Sequence, residues 1–417
     1  MGARLVLLDP GFQRLEGHHA DVNRQLQAAA EAKNCNLEIW GDQALAVMLP
    51  DSDFKGVLRA ELRNGGYIDP RHWSDLPGCM HQAGLLRPQM QQLATGAPIT
   101  GWMAHSLLPF QMLALAQLLQ HHPPARVVIC LMFAPGEVFQ GQPEFDLHSQ
   151  RATASEASGV ALTALGLACQ RQGHSLQLAA GSQQLIDSYT PLCVAAGLAA
   201  PELHPSVVGL PAPAMRQTSG LASAQVLLHW GERKPDKGRG LALLLLNELI
   251  SRQPNNWPEP WQTIQWVFHA AGIDGCEEQE KAILGQARLC KSCTVMEGVQ
   301  ERRVMEQVLA DTELLLLPYD PEAYAWRSSG VLWLYGSCRH HCNQPARVMG
   351  FPGGWIATEA QAMGMAFIPL PQPLAPGAVL QAMVAGLRSP GPLEVSSYGH
   401  RVLAESFPHW LMGQFTR

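Results

Sequence analysis

The chain has 417 residues, 47% of them apolar and 15% charged, which suits a globular protein with material for two ordinary domains. Its formal charge of −6 argues against nucleic acid or an anionic membrane surface as the main partner. The ten cysteines are scattered rather than arranged as a disulfide scaffold, and they fit reduced thiols in a cytoplasm.

Met1–Ala3 runs straight into an apolar strand without a basic leader, so no signal peptide is read there. Arg4–Leu8 has the length of a buried parallel strand and is ended by Asp9-Pro10-Gly11. Gly17-His18-His19 then forms a loop, and Ala20–Ala32 is a helix with Val22, Leu26, Ala29 and Ala30 on one side. With Asn36–Trp40 as the next strand, this is the opening βαβ unit of a doubly wound sheet. Ligands of such sheets lie beyond the carboxyl ends of the strands, which makes Gly17, His18 and His19 candidate site residues. Neither GxGxxG nor GxxxxGK[ST] occurs, so dinucleotide binding and a P-loop are not indicated.

Residues 41–97, interrupted by Pro50, Pro70, Pro77 and Pro88, give no clear elements. Ile99–Met103 reads as a strand, His105-Ser106-Leu107 as a second pocket loop, and Pro109–Leu119 as a helix with proline in its first turn. The apolar stretch Leu107–Leu119 is broken by Pro109 and by glutamines, and no apolar stretch reaches membrane-spanning length; a soluble, cytoplasmic protein is expected. Arg126–Met132 is a strand, Phe133–Gln150 a polar loop, Ser155–Arg171 a helix capped by Ser155, and Ser175–Ala179 a strand.

Val207–Pro213 closes a first domain over residues 1–213, and Met215–Ser223 reads as a linker into a second, 214–395. Gln225–Trp230 is its first strand, followed by the loop GERKPDKGRG and a helix from Leu241 to about Ser251. Arg233, Lys234, Lys237 and Arg239 cluster there beside three glycines, in a chain with six lysines against 23 arginines. Cations at a strand-to-helix turn suit a multiply charged phosphate, although a solvated turn has the same composition.

Strands Thr263–Phe268, Lys291–Met296 and Glu313–Leu317 alternate with helices Glu277–Leu289 and Glu301–Ala310, as a second parallel sheet requires. After Pro318, the loop Tyr319–Trp326 leads to Arg327-Ser328-Ser329-Gly330. A helix opening on those residues offers free N–H groups and a positive dipole end to an anion, with Gly330 allowing close approach and Arg327 adding charge. An ordinary N-cap would use the same serines. Val331–Tyr335 continues the apolar pattern, Gly336–Pro352 interrupts it, Gly353–Trp355 opens a helix to Met363, and Met365–Pro369 is the last strand. Residues 396–417 read as a closing helix, with Val402, Leu403, Phe407, Trp410, Leu411 and Phe415 on one stripe despite Pro408. Cys290, Cys293, Cys338 and Cys342 form two pairs with spacings acceptable for a structural zinc; buried thiols are the competing reading.

Four ordered stretches, Leu7–Asn23, Gly231–Gly238, Leu314–Val331 and Gly353–Gly364, resemble bacterial glycosyltransferases of the GT-B fold, and in particular the retaining, glycosyltransferase family 4-like group. The resemblance implies an α/β protein of two Rossmann-like, doubly wound parallel-sheet domains facing across a cleft, with the C-terminal helix crossing back to the first domain. It implies transfer of a sugar from a nucleotide-diphosphate-sugar donor to an unknown acceptor, with retention. No metal or resident cofactor is expected, because cations and a helix N-terminus stabilise the leaving diphosphate. The family's pattern places Arg233, Lys237, Tyr319, Arg327, Ser328, Ser329 and Gly330 around the donor, with Gly17, His18 or His19 facing the sugar or acceptor. Two departures stand out. Arg233 and Lys237 lie one residue closer together than is usual, and the glutamate that usually follows the serine-serine-glycine loop is absent from Leu332–Tyr335, leaving Glu359 as its substitute. A non-catalytic sugar-nucleotide-binding or scaffold protein of the same fold is the alternative.

Overall fold

The computed structural model describes residues 4–15, 17–63, 74–136, 147–211, 224–231, 235–252, 257–270, 277–298, 300–389, 391 and 395–415. The chain divides into two compact units, residues 1–209 with 406–417, and residues 210–405.

In the first unit the apolar runs of the sequence become β1 (Arg4–Leu8), β2 (Asn36–Asp42), β3 (Leu58–Leu62), β4 (Gly101–His105), β5 (Arg126–Leu131), β6 (Ser175–Ala180) and β7 (Glu202–Leu203). They form one sheet in the order β3-β2-β1-β4-β5-β6-β7, with every pairing parallel. The order reverses between β1 and β4, which is where a doubly wound sheet opens a crevice beyond its carboxyl ends. Leu5–Leu8 and Val127–Leu131 are buried throughout, as expected of strands covered on both faces. In the second unit β8 (Ala224–Gly231), β9 (Ile264–Ala270), β10 (Cys293–Glu297), β11 (Thr312–Leu317), β12 (Arg347–Gly350) and β13 (Ala366–Pro369) form a second all-parallel sheet in the order β10-β9-β8-β11-β12-β13. Its reversal lies between β8 and β11. Both expected loops of this unit, the lysine loop and the serine loop, follow those two strands.

Several segments depart from the sequence reading. The unreadable stretch 41–97 contains β3 and a helix, Leu76–Leu93, that continues through Pro88. Pro88 and Gly84, whose carbonyl loses its N–H donor to the proline, are both exposed, so water can satisfy it. Ser155 is not a cap: the helix spans Leu147–Gln172, because nothing in the preceding residues breaks it. Helices Gln183–Ala195, with Pro191 inside it, and Pro376–Arg388 were not anticipated. The interruption at Gly336–Pro352 is the remainder of helix Gly330–His341 and strand β12. The closing helix is two helices, Ser397–Ala404 in the second unit and Phe407–Gly413 in the first, where the latter packs on helix His18–Ala32. Proline at Pro408 fits because it occupies the first turn of a new helix. The linker over 215–223 lies outside the described residues. Among the described residues no helix is long and apolar enough to cross a membrane.

The zinc reading is overturned. Cys290 and Cys293 are buried in the core between helices Arg239–Ser251 and Glu278–Leu289 and the sheet, and Cys338 is buried on helix Gly330–His341. Among the described residues these thiols join no group of metal-capable side chains. Burial pushes the Cys338 and Cys293 thiols far up, as for thiols packed in a core.

Candidate active site

The second unit builds its site from two loops that the fold clips together. Ser329 caps helix Gly330–His341, its hydroxyl accepting the Leu332 N–H at 3.4 Å. The N-cap role weighed from the sequence is therefore real, and among the described residues no side chain accepts from the other first-turn N–H groups. Gly330 is exposed and does not need a positive φ, so its contribution is open space at the helix mouth. Tyr319 lies buried beneath, with Ser329 acting on its hydroxyl and the Tyr324 ring 4.5 Å away. Burial pushes the Tyr319 hydroxyl well up, which keeps it neutral and makes it a support of the cap.

The lysine loop meets this helix mouth from the side. Pro235–Lys237 is a short turn, and Gly238 starts helix Arg239–Ser251 at φ 70°. A Cβ at Gly238 would stand 1.9 Å from the Pro318 carbonyl oxygen, so only glycine lets the two loops approach so closely. The Asp320 N–H donates to the Asp236 carbonyl at 2.8 Å, and Arg327 donates to the Asp236 carboxylate at 3.0 Å. Asp236 was not singled out from the sequence, yet it is the bridge that holds Arg327. Arg239 pairs with Glu280. Arg233 and Lys234 lie outside the described residues.

Below Lys237, two histidines end adjacent strands in register. His229 of β8 is paired with His269 of β9, their Nδ1 atoms 3.0 Å apart, and His269 Nε2 lies 3.1 Å from the Gly298 carbonyl. A carbonyl only accepts, so His269 carries its proton on Nε2 and receives one from His229 Nδ1. Burial holds both imidazoles below their ordinary value, joined by His269 and then Lys237 at His229 and by Lys237 at His269, where the Gly298 carbonyl opposes it. This neutral pair beside the loop was missed; HWG and HAA at two strand ends were its signal.

Glu359 sits on helix Gly354–Ala362 with 3% exposure. Its carboxylate accepts from Trp333 Nε1 at 2.9 Å and from the Tyr398 hydroxyl at 3.0 and 2.9 Å. Both oxygens are thus enclosed by protein donors, and burial pushes the carboxyl up to about 7 despite those hydrogen bonds.

In the first unit, Gly17 precedes helix His18–Ala32 at φ 82° and ψ −173°, with open space where a Cβ would lie. His18 and His19 are the first two residues of this helix and not a loop, with ring centroids 4.1 Å apart. His18 is exposed. His19 turns inward to Asp9, its Nδ1 2.8 and 3.0 Å from the two carboxylate oxygens. The Asn23 amide donates to Asp9 at 2.9 Å, and His105 Nε2 lies 3.2 Å from the Asn23 carbonyl oxygen and 3.4 Å from Asp9. Next to it Ser106 is buried at φ 87°, its hydroxyl without a hydrogen-bond partner, a strained position of the kind that clusters at functional sites. Burial alone would raise the Asp9 carboxyl, but the charges and hydrogen bonds of His19 and His105 outweigh it and hold it well below the carboxylate range. His19 responds in kind: burial opposes its charge, Asp9 prevails, and its pKa is raised. Asp9, His19 and His105 are the one group of metal-capable residues among those described, with donor atoms within 4.8 Å. Hydrogen bonding already accounts for their spacing, because a 2.8 Å approach of Nδ1 to a carboxylate is that of a charge-assisted N–H···O bond.

Two doubly wound parallel sheets, each with its loops beyond the β1/β4 or β8/β11 reversal, set the frame for comparison. No protein-family model matches the chain, and no curated protein matches it by sequence. Solved structures do match over its whole length. A trehalose-6-phosphate synthase from E. coli bound with UDP-2-fluoro glucose has a TM-score of 0.57 at 11% identity, covering 100% of this chain and 99% of its own. An α,α-trehalose-phosphate synthase (UDP-forming) from Burkholderia xenovorans, in complex with glucose-6-phosphate, gives 0.57 at 10% identity with 100% of both chains covered. The N-terminal domain of Candida albicans trehalose-6-phosphate phosphatase gives 0.58 at 11%, covering 100% and 96%. The fold is GT-B. At these identities the likeness establishes the architecture, and the residues above carry the chemistry.

Proposed function

We propose that this GT-B chain is a glycosyltransferase that moves a sugar from a nucleotide-diphosphate donor to an acceptor, with retention. The observation that carries the reading is the clip between Pro235–Gly238 and Pro318–Ser329, in which Asp236, the neighbour of Lys237, holds Asp320 and Arg327 of the loop that runs into helix Gly330–His341 at the strand reversal of the second unit. A donor diphosphate is the ligand that this combination suits, since a helix mouth and a cation both stabilise charge developing on a leaving phosphate. Lys237, Arg327, the N–H groups following Ser328 and Ser329, and Arg233 would take that role, with Gly330 leaving space for the phosphate. In the first unit Gly17, His18 and His19 would work on the sugar or acceptor. These cations would do what a metal does elsewhere, so transfer is expected to persist with a chelator present.

Thermal shift and turnover with a panel of nucleotide sugars test this. A UDP-sugar heads the panel because the E. coli structure of the same fold holds one. Lys237→Ala should weaken donor binding and slow transfer about thirty- to a thousandfold, from the loss of about 2–4 kcal/mol of charge-assisted stabilisation. No stabilisation by any nucleotide overturns the proposal. Binding without turnover instead favours the non-catalytic alternative, for which the enclosure of Glu359 and the lack of a carboxylate at Leu332–Tyr335 speak.

A further inference from the structure

We propose that Asp9 is the positioning residue for His19: it fixes the ring through Nδ1–H and holds it as an imidazolium whose Nε2–H donates to an oxygen of the sugar or phosphate. The inference rests on the reading of Gly17, His18 and His19 as part of the transfer site. Three observations carry it independently of any ligand. Asp9 is fully buried at the carboxyl end of β1, and both of its oxygens lie within hydrogen-bond distance of His19 Nδ1. A carboxylate only accepts, so that nitrogen must carry the proton and Nε2 becomes the ring's other edge. Asn23 and His105 enclose the far side of Asp9 and keep it ionised without releasing His19. The His19 side chain keeps 17% exposure, whereas Asp9 has none, so a ligand reaches the dyad through the imidazole.

The titratable groups around His19 are few. Asp9 comes from β1, His105 from β4 and His18 from the same helix. Helix Phe407–Gly413 packs on helix His18–Ala32 and carries His409, which is exposed and bonded to Ser406 of its own cap at 2.9 Å. Among the described residues Asp9 is the one carboxylate bonded to His19, Asp21 of the same helix pairing with Arg24, so removal of Asp9 has a definite sign. Without it the imidazole loses its proton at lower pH.

Histidine-selective labelling with long-range proton–nitrogen NMR reads this directly, His19→Gln supplying the assignment. In the wild type, His19 should titrate above the ordinary value of about 6.5. In Asp9→Asn the midpoint should fall by about one unit or more. Transfer, measured on the same proteins, should decline as pH rises through the wild-type midpoint, and decline earlier in Asp9→Asn. A merely structural Asp9 would lower the melting temperature and leave the midpoint in place, which would overturn the proposal. Should Asp9→Asn fail to fold, the wild type decides alone, because a His19 midpoint at or below the ordinary value also overturns it. Stoichiometric metal at this cluster in protein purified without chelator does the same. If the midpoints behave as stated but no sugar nucleotide binds, the dyad stands and the transferase reading falls.

Discussion

Glu359 shows at the scale of one residue how burial turns a carboxylate into a pH-dependent liability. Enclosed by Trp333 and Tyr398, it is pushed up from 4.5 to about 7. Between those values the folded protein binds a proton that the unfolded chain does not. Stability therefore falls as pH rises through this window and stays lower above it. Glu359→Gln keeps the shape and can accept from Trp333 while donating to the Tyr398 oxygen. At pH 8 the variant should be more stable by on the order of 2 kcal/mol, and most of that gain should vanish at pH 5. Urea unfolding at the two pH values checks this; an equal difference at both would mean that the carboxyl titrates normally.

Among the elements, two glycines at positive φ, one extended at ψ −173° and one left-handed at ψ 25°, separate conformational strain from crowding. Gly17 at φ 82° faces open space, while Gly238 at φ 70° faces the Pro318 carbonyl. Gly17→Ala should cost about 1–3 kcal/mol from conformation alone. Gly238→Ala adds a collision with backbone, for a total of about 2–5 kcal/mol. It should also push Lys237 away from the Pro318–Asp320 loop and weaken nucleotide stabilisation, which Gly17→Ala should leave intact. Melting temperatures with and without nucleotide distinguish them. Equal losses in the two variants would show that the loops are not clipped in solution.

Over the whole molecule, the chain leaves its first unit at Gly209 and returns at Ser406. Phe407, Leu411 and Met412 are fully buried there, with Phe407 against His204 at 5.1 Å and Gln414 accepting from Arg126 at 3.3 Å. Ser397–Ala404 instead belongs to the second unit, where the Ser337 hydroxyl donates to the Leu403 carbonyl. Phe407→Ala should therefore destabilise the first unit by about 3–5 kcal/mol and Leu403→Ala the second by about 2–5. Nucleotide should raise the transition of the second unit selectively, which assigns the two in a calorimetric scan. A Phe407→Ala loss that appears in the nucleotide-sensitive transition would refute this division of the tail.

What was legible in the sequence is what is locally encoded. Runs such as Leu5–Leu8, Val127–Leu131 and Leu314–Leu317 are apolar because parallel strands are covered on both faces, and Ser329 caps because its hydroxyl reaches an N–H three residues on. The alternation of strands and helices then leads to two doubly wound sheets, and their loops to the carboxyl ends. Local pattern was misleading where tertiary context overrode it: Ser155 lies inside a helix, and Pro88 is tolerated because it faces water. The chemistry within the loops depended on partners distant along the chain. His105 meets Asn23 across 82 positions, Arg327 meets Asp236 across 91, and His229 meets His269 across 40. Strand order and register bring these groups within 3.2 Å, and neither is written in the spacing of the residues that form the contacts.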